Sequence, residues 1–258
     1  FICLGLWTWP IGVTDDLDVL ADTQKKFDPT KLDTDQWVAV AESMGAKYVL
    51  YTARHSDGFC MWQTDTTDFS IKNTPWRNGK GDIVADLAKS CKKRGMKLAI
   101  YSDPRDVYFG AGPGGKCATV EKQDEYNKIF RQQLTELLSN YGDIFEVWFD
   151  GSLFVPIEDI LEKYAPNAMV FQSPQATIRW VGHEEGFAPY PAWNSVNSEN
   201  ASVQSGNSTA RHGDPDGDKW LPLECDARIR ATWMYEADNA DTLKSLDYLM
   251  DMYYRSVG

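Results

Sequence analysis

Apolar positions along the chain fall into short unbroken runs separated by longer stretches in which they recur every three or four residues. The runs Lys47–Tyr51 (KYVLY), Lys97–Tyr101 (KLAIY), Ile144–Phe149 (IFEVWF) and Met169–Gln172 are rich in β-branched and aromatic side chains and read as buried strands. Phe1–Trp7 reads as a further strand, and Leu221–Cys225 as another. Between them the period changes to that of a helix. Thr34–Met44 sets Trp37, Val40, Ala41 and Met44 at helical spacing and stops before Gly45. Asp82–Arg94 opens on a capping carboxylate and closes on Gly95. Lys122–Tyr141 is a long amphipathic helix ended by Gly142, Ile157–Tyr164 a short one, and Asp241–Ser256 the last.

Alternation of buried strands with helices implies parallel pairing and right-handed crossovers. That leaves a doubly wound sheet or a (β/α) barrel. No glycine-rich phosphate loop follows the first strand, which counts against the nucleotide-binding version. Polar residues gather instead just after the strands: His55, Ser56 and Asp57; Asp103 and Asp106; Asp150; Glu224 and Asp226. A barrel brings those positions to one face. The expected fold is therefore an irregular α/β (β/α)8-like TIM barrel, one domain over residues 1–258. About six strands are legible, so the last strand or strands are expected to be lacking. The loop from Glu184 to Lys219 is long, polar and rich in Gly, Asn and Ser, a length that usually serves function.

Composition narrows the partners. The chain has 258 residues, 43% hydrophobic and 25% charged, the balance of a folded globular protein. No apolar run reaches the roughly 18–20 residues of a membrane span. A net charge of −12 argues against nucleic acid. Five widely spaced cysteines fit neither a zinc pattern nor a dense disulfide scaffold. The first residue is Phe1, as in a processed or trimmed chain, and sequons stand at Asn200 and Asn207. Ten Trp and twelve Tyr change the picture more: flat amphipathic rings serve a core, and they also suit a ring-shaped ligand such as a sugar.

Asp150 ends the aromatic run Val147-Trp-Phe-Asp150 and precedes Gly151, which lets the backbone turn away and a ligand approach. It is either a rigidly held catalytic carboxylate or a strand-end cap. Glycoside hydrolysis needs two carboxyl groups across the scissile bond, one of them protonated at working pH. Glu184, beside Trp180 on the long loop, suits the proton donor, though an isolated Glu is more often a solvated surface residue. His55 could donate to a sugar hydroxyl or be structural. Asp214-Pro-Asp-Gly-Asp218 lacks the Gly and Glu of a calcium loop and reads as a solvated turn.

Several segments together resemble family 29 of the glycoside hydrolases, the retaining α-L-fucosidases. They are Phe27–Trp37 (FDPTKLDTDQW), Gly45–Phe59 (GAKYVLYTARHSDGF), Asn73–Trp76, Gly79–Asp82 and Trp148-Phe-Asp-Gly151. Arg179-Trp-Val-Gly182 and Trp220–Asp226 are similar to the branch acting on α-1,3/1,4-linked fucose. The resemblance implies a catalytic barrel followed by a β-sandwich that this chain does not include. It also implies a fucosylated oligosaccharide or glycoconjugate as substrate, no metal or organic cofactor, and a secreted, periplasmic or lysosomal-type compartment. Asp150 corresponds to the nucleophile and Glu184 to the acid/base, with Glu185, Glu199 and Glu224 as replacements. Arg179 and Tyr101 correspond to fucose contacts and His55 to a hydroxyl ligand, with Trp148, Trp180 and Trp233 as ring faces. The chain departs from the family pattern at Cys3, Ser56 and Arg105, where His, His and Trp are usual, and at His183, where Asn is usual. The expected activity is that of a retaining exo-fucosidase. The alternatives are a related glycosidase for another α-linked deoxysugar and a non-catalytic sugar-binding relative.

Overall fold

A computed structural model describes residues 1–8, 13–151, 153–198 and 211–257. Both sequons, Glu199 and Gly258 lie outside the described residues. The helices are α1 (Leu17–Lys26), α2 (Thr34–Ser43), α3 (Ile83–Arg94), α4 (Val120–Asn140), α5 (Glu158–Tyr164) and α6 (Leu246–Val257). The longer strands are β1 (Tyr48–Arg54), β2 (Lys97–Ser102), β3 (Ile144–Trp148) and β4 (Met169–Phe171), parallel and in that order. Beyond β4, Ile178 bridges Phe171 in parallel, and β5 (Arg179–Trp180) pairs in parallel with β8 (Leu223–Glu224). On the other side Ile2 bridges Tyr51, also in parallel. The segments thus follow one another around an arc in chain order, as in a TIM barrel. An antiparallel pair, β6 (Ser195–Val196) with β7 (Lys219–Trp220), stands off the arc within the long loop.

The alternation along the strands explains why the arc curves around two cores. Val49, Tyr51 and Ala53 of β1, Leu98 and Ile100 of β2, and Val147 of β3 face the helices in the main core. The alternate residues Leu50, Ala99, Tyr101, Trp148 and Phe171 form a second cluster on the inner face. Both faces are covered, so the strands read as continuous apolar runs.

Local chemistry sets the boundaries. Asp82 caps α3 by accepting the Ala85 N–H at 2.8 Å, and Gly95 closes it in the left-handed region at φ 65°. α1 was not legible as a periodic stretch, yet it carries its own signal: Asp16 accepts the N–H groups of Asp18 and Val19. Phe1–Trp7 is corrected. Only Ile2 pairs with the sheet, and Leu6–Thr8 forms a 3-10 turn, its Leu6 and Trp7 filling the main core. The last helix begins at Leu246 rather than Asp241, after a separate turn at Ala240–Thr242. No helix among the described residues is long and apolar enough to cross a membrane.

Candidate active site

A cavity of about 1140 Å³ opens at the carboxyl ends of the strands. Its floor is a ladder of rings. Trp7 lies 4.6 Å from His55, which stacks on Tyr101 at 5.4 Å. Tyr101 stacks on Trp148 at 5.1 Å, and Trp148 on Phe171 at 4.1 Å. β2, β3 and β4 donate Tyr101, Trp148 and Phe171 at paired register positions, so these rings stack on one another along the arc, with His55 after β1 and Trp7 of the 3-10 turn extending the row.

Asp150 stands on this floor. Its carboxylate opens onto the cavity while protein surrounds it on the other sides. That enclosure raises its pKa, the Tyr101 hydroxyl donating to Oδ2 at 2.7 Å lowers it, and the charge of Glu184 raises it again. Glu184 lines the same cavity from the loop after β5, with 43% of its side chain exposed. Its Oε2 lies 3.6 Å from Nε of Arg228. Asp226 also lines the cavity, and its Oδ1 accepts the indole N–H of Trp180 at 2.5 Å. Burial pushes the Asp226 carboxyl up to about 7, with the charges of Glu224 and Glu184 adding to the effect and the Trp180 hydrogen bond opposing it.

His55 is neutral at working pH, since burial and then the Arg105 charge lower it to about 4. Its Nδ1 accepts the Ser56 N–H at 2.8 Å, so the single ring proton sits on Nε2. His55 therefore presents a donor rather than a charge.

Of the expected site residues, Cys3, His55, Tyr101, Trp148, Asp150 and Glu184 line the cavity, and Trp180 and Trp233 complete its wall. Three expected contacts do not line it. Arg179 is buried and turned away: its guanidinium donates to the backbone carbonyls of Leu221, Trp193 and Arg211. It ties β5 to the long loop, because a buried guanidinium must satisfy its donors locally. Ser56 is buried behind His55, its hydroxyl 3.2 Å from Nδ1. Arg105 pairs at the surface with Asp15 at 2.5 Å. Among the replacement acids, Glu185 is exposed on a bridge to Ala227, outside the cavity. Glu224 points into the barrel, where it accepts the Trp148 indole N–H at 2.8 Å. There it faces Glu146, whose carboxyl burial and then the Glu224 charge push up to about 9. Trp193 is half exposed outside the cavity.

Sequence reasoning passed over four positions in or behind the cavity wall. Asp226 is legible only as a member of a strand-end cluster, and Arg228 carries no signal of its own. Gln172, at the end of β4, lines the cavity with φ 54°, a left-handed conformation that costs a non-glycine residue energy and recurs at functional sites. Arg54 is the fourth. A register shift between Thr52 and Arg54 turns this fully buried residue outward beneath α4. It donates to Gln133 at 2.6 Å, Asp106 at 3.2 Å, the Tyr126 hydroxyl at 2.7 Å, and the carbonyls of Asp103 and Arg105. This hub clamps the loop after β2 behind His55. It also explains Gly58: at φ 89°, a Cβ there would land on the Asp106 carboxylate.

Fold and cavity together define a TIM-barrel protein with a ring-floored pocket and carboxylates at its rim. The alpha-L-fucosidase family model matches residues 19–258, and the chain belongs to that family. It is 37% identical over 243 residues to Alpha-L-fucosidase 1 of Arabidopsis thaliana, covering 90% of this chain and 46% of that protein. Among solved structures it is similar to a glycoside hydrolase 29 family member from an unknown rumen bacterium. That match has 33% identity and a TM-score of 0.82, over 99% of this chain and 48% of that one. It is also similar to a variant of a Ruminococcus gnavus family 29 fucosidase in complex with fucose, at 27% identity and a TM-score of 0.81, over 99% and 57%. The chain spans about half the length of the curated relatives it matches.

Proposed function

We propose that the protein hydrolyses terminal α-L-fucosyl linkages of glycans with retention, through a covalent glycosyl-enzyme. The observation that carries this reading is Asp150, held by the Tyr101 hydroxyl at 2.7 Å on a floor of rings, with Glu184 on the rim of the same cavity. An Asp150 carboxylate oxygen bonds to the anomeric carbon. The glycosidic C–O bond breaks with its electron pair on the leaving oxygen, which takes a proton from Glu184. A water then attacks the anomeric carbon, Glu184 takes its proton, and Asp150 departs as carboxylate. His55 donates from Nε2 to a sugar hydroxyl, and the apolar side of the sugar meets Trp233 and the cavity-facing edges of Tyr101 and Trp148. A rival deoxysugar would draw on a more polar pocket at Ser56 and Arg105, and both lie off the cavity.

A fluorinated fucosyl fluoride, which forms the glycosyl-enzyme faster than water releases it, tests the nucleophile. Peptide mass analysis should place the sugar on Asp150, and Asp150→Asn should lower turnover by about four orders of magnitude or more. A label on another residue, or an Asp150→Asn variant as active as wild type, would overturn the reading. Trapped crystals should show the Asp150 and Glu184 carboxyls about 5–5.5 Å apart.

A further inference from the structure

Asp150 ends a buried strand, whereas Glu184 sits in the loop after β5, with 43% of its side chain exposed. Its one ion pair, with Arg228 at 3.6 Å, is half exposed too, and such pairs hold a side chain weakly. The backbone beside it is held more firmly, by α6. Leu249, Met252 and Ser256, spaced as one face of a helix, are half-buried, while the other positions of α6 are exposed. Two residues of that face meet residues 186–188. The Ser256 hydroxyl donates to the Gly186 carbonyl at 3.0 Å and accepts the Ala188 N–H at 3.3 Å. One hydroxyl thus satisfies two backbone groups of a loop that has no strand partner of its own at those atoms. Next along α6, the Arg255 guanidinium covers the Phe187 ring at 3.7 Å. Phe187 in turn meets His183, with ring centroids 5.3 Å apart, so the residues on either side of Glu184-Glu185-Gly186 close on each other.

Gly186 is where the helix and the loop press closest. It is buried, and its φ of 83° is one that glycine adopts without strain. A Cβ there would land on Met252 of α6 and lie 2.7 Å from Cβ of Ala227, the residue that bridges Glu185 in antiparallel. The Met252 thioether could swing aside, but the Ala227 Cβ is fixed by its backbone. Gly186 is therefore wedged between α6 and the segment that carries Arg228.

Resting on the mechanism above, we propose that Gly186 and Ser256 are positioning residues for the acid/base: α6 clamps the loop so that the Glu184 carboxyl reaches the leaving oxygen. Neither residue lines the cavity, so neither touches the sugar, and their effect on turnover passes through the loop. A general acid has to lie within hydrogen-bond reach of the atom it protonates, and a misplacement of about 1 Å costs roughly 100-fold in rate.

Leaving-group dependence reads this role in the intact protein. A fucosylated oligosaccharide leaves as an alkoxide and needs the proton, whereas a chloronitrophenolate leaves without one. Ser256→Ala should lower kcat/KM on the oligosaccharide by roughly 10-fold and Gly186→Ala by roughly 100-fold, with kcat/KM on a chloronitrophenyl α-L-fucoside within about twofold of wild type. Ser256→Thr, which keeps the hydroxyl, should restore the oligosaccharide activity. Losses as large on the aryl fucoside as on the oligosaccharide, or no loss on the oligosaccharide in either variant, overturn the assignment. Circular dichroism checks folding, and should Gly186→Ala not fold, Ser256→Ala, which removes one half-buried hydroxyl, carries the test. Glu184→Gln separates this failure from failure of the mechanism. It should lose the oligosaccharide, keep the aryl fucoside in kcat/KM, and form fucosyl azide when azide is added. If it does so and the Gly186 and Ser256 variants do not follow its substrate pattern, the clamp alone fails. If Glu184→Gln hydrolyses the oligosaccharide as well as wild type does, the mechanism fails and the clamp with it.

Discussion

The two sides of the barrel arc are built differently. β1, β2 and β3 run for 7, 6 and 5 residues and are almost wholly buried, with α2, α3 and α4 laid over them. β4, β5 and β8 run for 3, 2 and 2 residues and are joined to a large extent by loops. The proposed nucleophile, its tyrosine partner and His55 come from the first side. Glu184, Asp226 and Arg228 come from the second. The nucleophile is thus set on long strands locked by a core, while the acid/base is set on a loop held by side-chain pairs. Nucleophilic attack demands tight geometry, whereas a proton donor must meet leaving groups of varied shape.

The contrast can be broken most severely at Arg54. Replacing it with Met leaves Asp106 buried without its cation and frees the carbonyls of Asp103 and Arg105. The expected loss is about 3–5 kcal/mol of stability, read as a lower urea midpoint. A midpoint near wild type would mean that the long-stranded side does not depend on this hub. Tyr101→Phe comes next. It removes a hydrogen bond to a charged group, worth about 1.5–3 kcal/mol, so kcat/KM should fall by roughly 10- to 100-fold with little change in stability. Because that bond lowers the Asp150 pKa, its loss should move the acidic limb of the pH profile upward. An unchanged acidic limb would detach Tyr101 from the nucleophile. The smallest effect is expected at Arg131, whose guanidinium grips Asp159 across α4 and α5 at the surface. Arg131→Ala should leave both the urea midpoint and the activity at wild-type values, since exposed pairs contribute little. A clear drop would show that the helices, and not the strand core alone, lock the first side.

Legibility followed the same division. β2, β3 and α3 are readable almost to the residue, because a continuous apolar run or a capped amphipathic helix encodes its own boundaries, whereas β1 runs three residues past the expected end at Tyr51, to Arg54. Two-residue strands such as Arg179–Trp180 leave no periodic trace. Arg54 was invisible because its position depends on a bulge that flips one side chain across the sheet. Arg179 misled because the resemblance made it a fucose contact, while the carbonyls it meets, of Leu221, Trp193 and Arg211, come from segments distant along the chain.

The sequence alone determined the alternation of strands and helices, the grouping of polar residues after strand ends, the family resemblance, and Asp150 and Glu184 as the leading pair. These follow from local periodicity, from turn chemistry and from motifs contiguous along the chain. Only the tertiary structure decided that Arg179, Ser56 and Arg105 lie off the cavity, that His55 carries its proton on Nε2, that Arg228 pairs with Glu184 and that Asp226 lines the same cavity. Each of those depends on which side chains from distant segments meet, and burial and pairing between them set charge and direction in ways that spacing along the chain does not record.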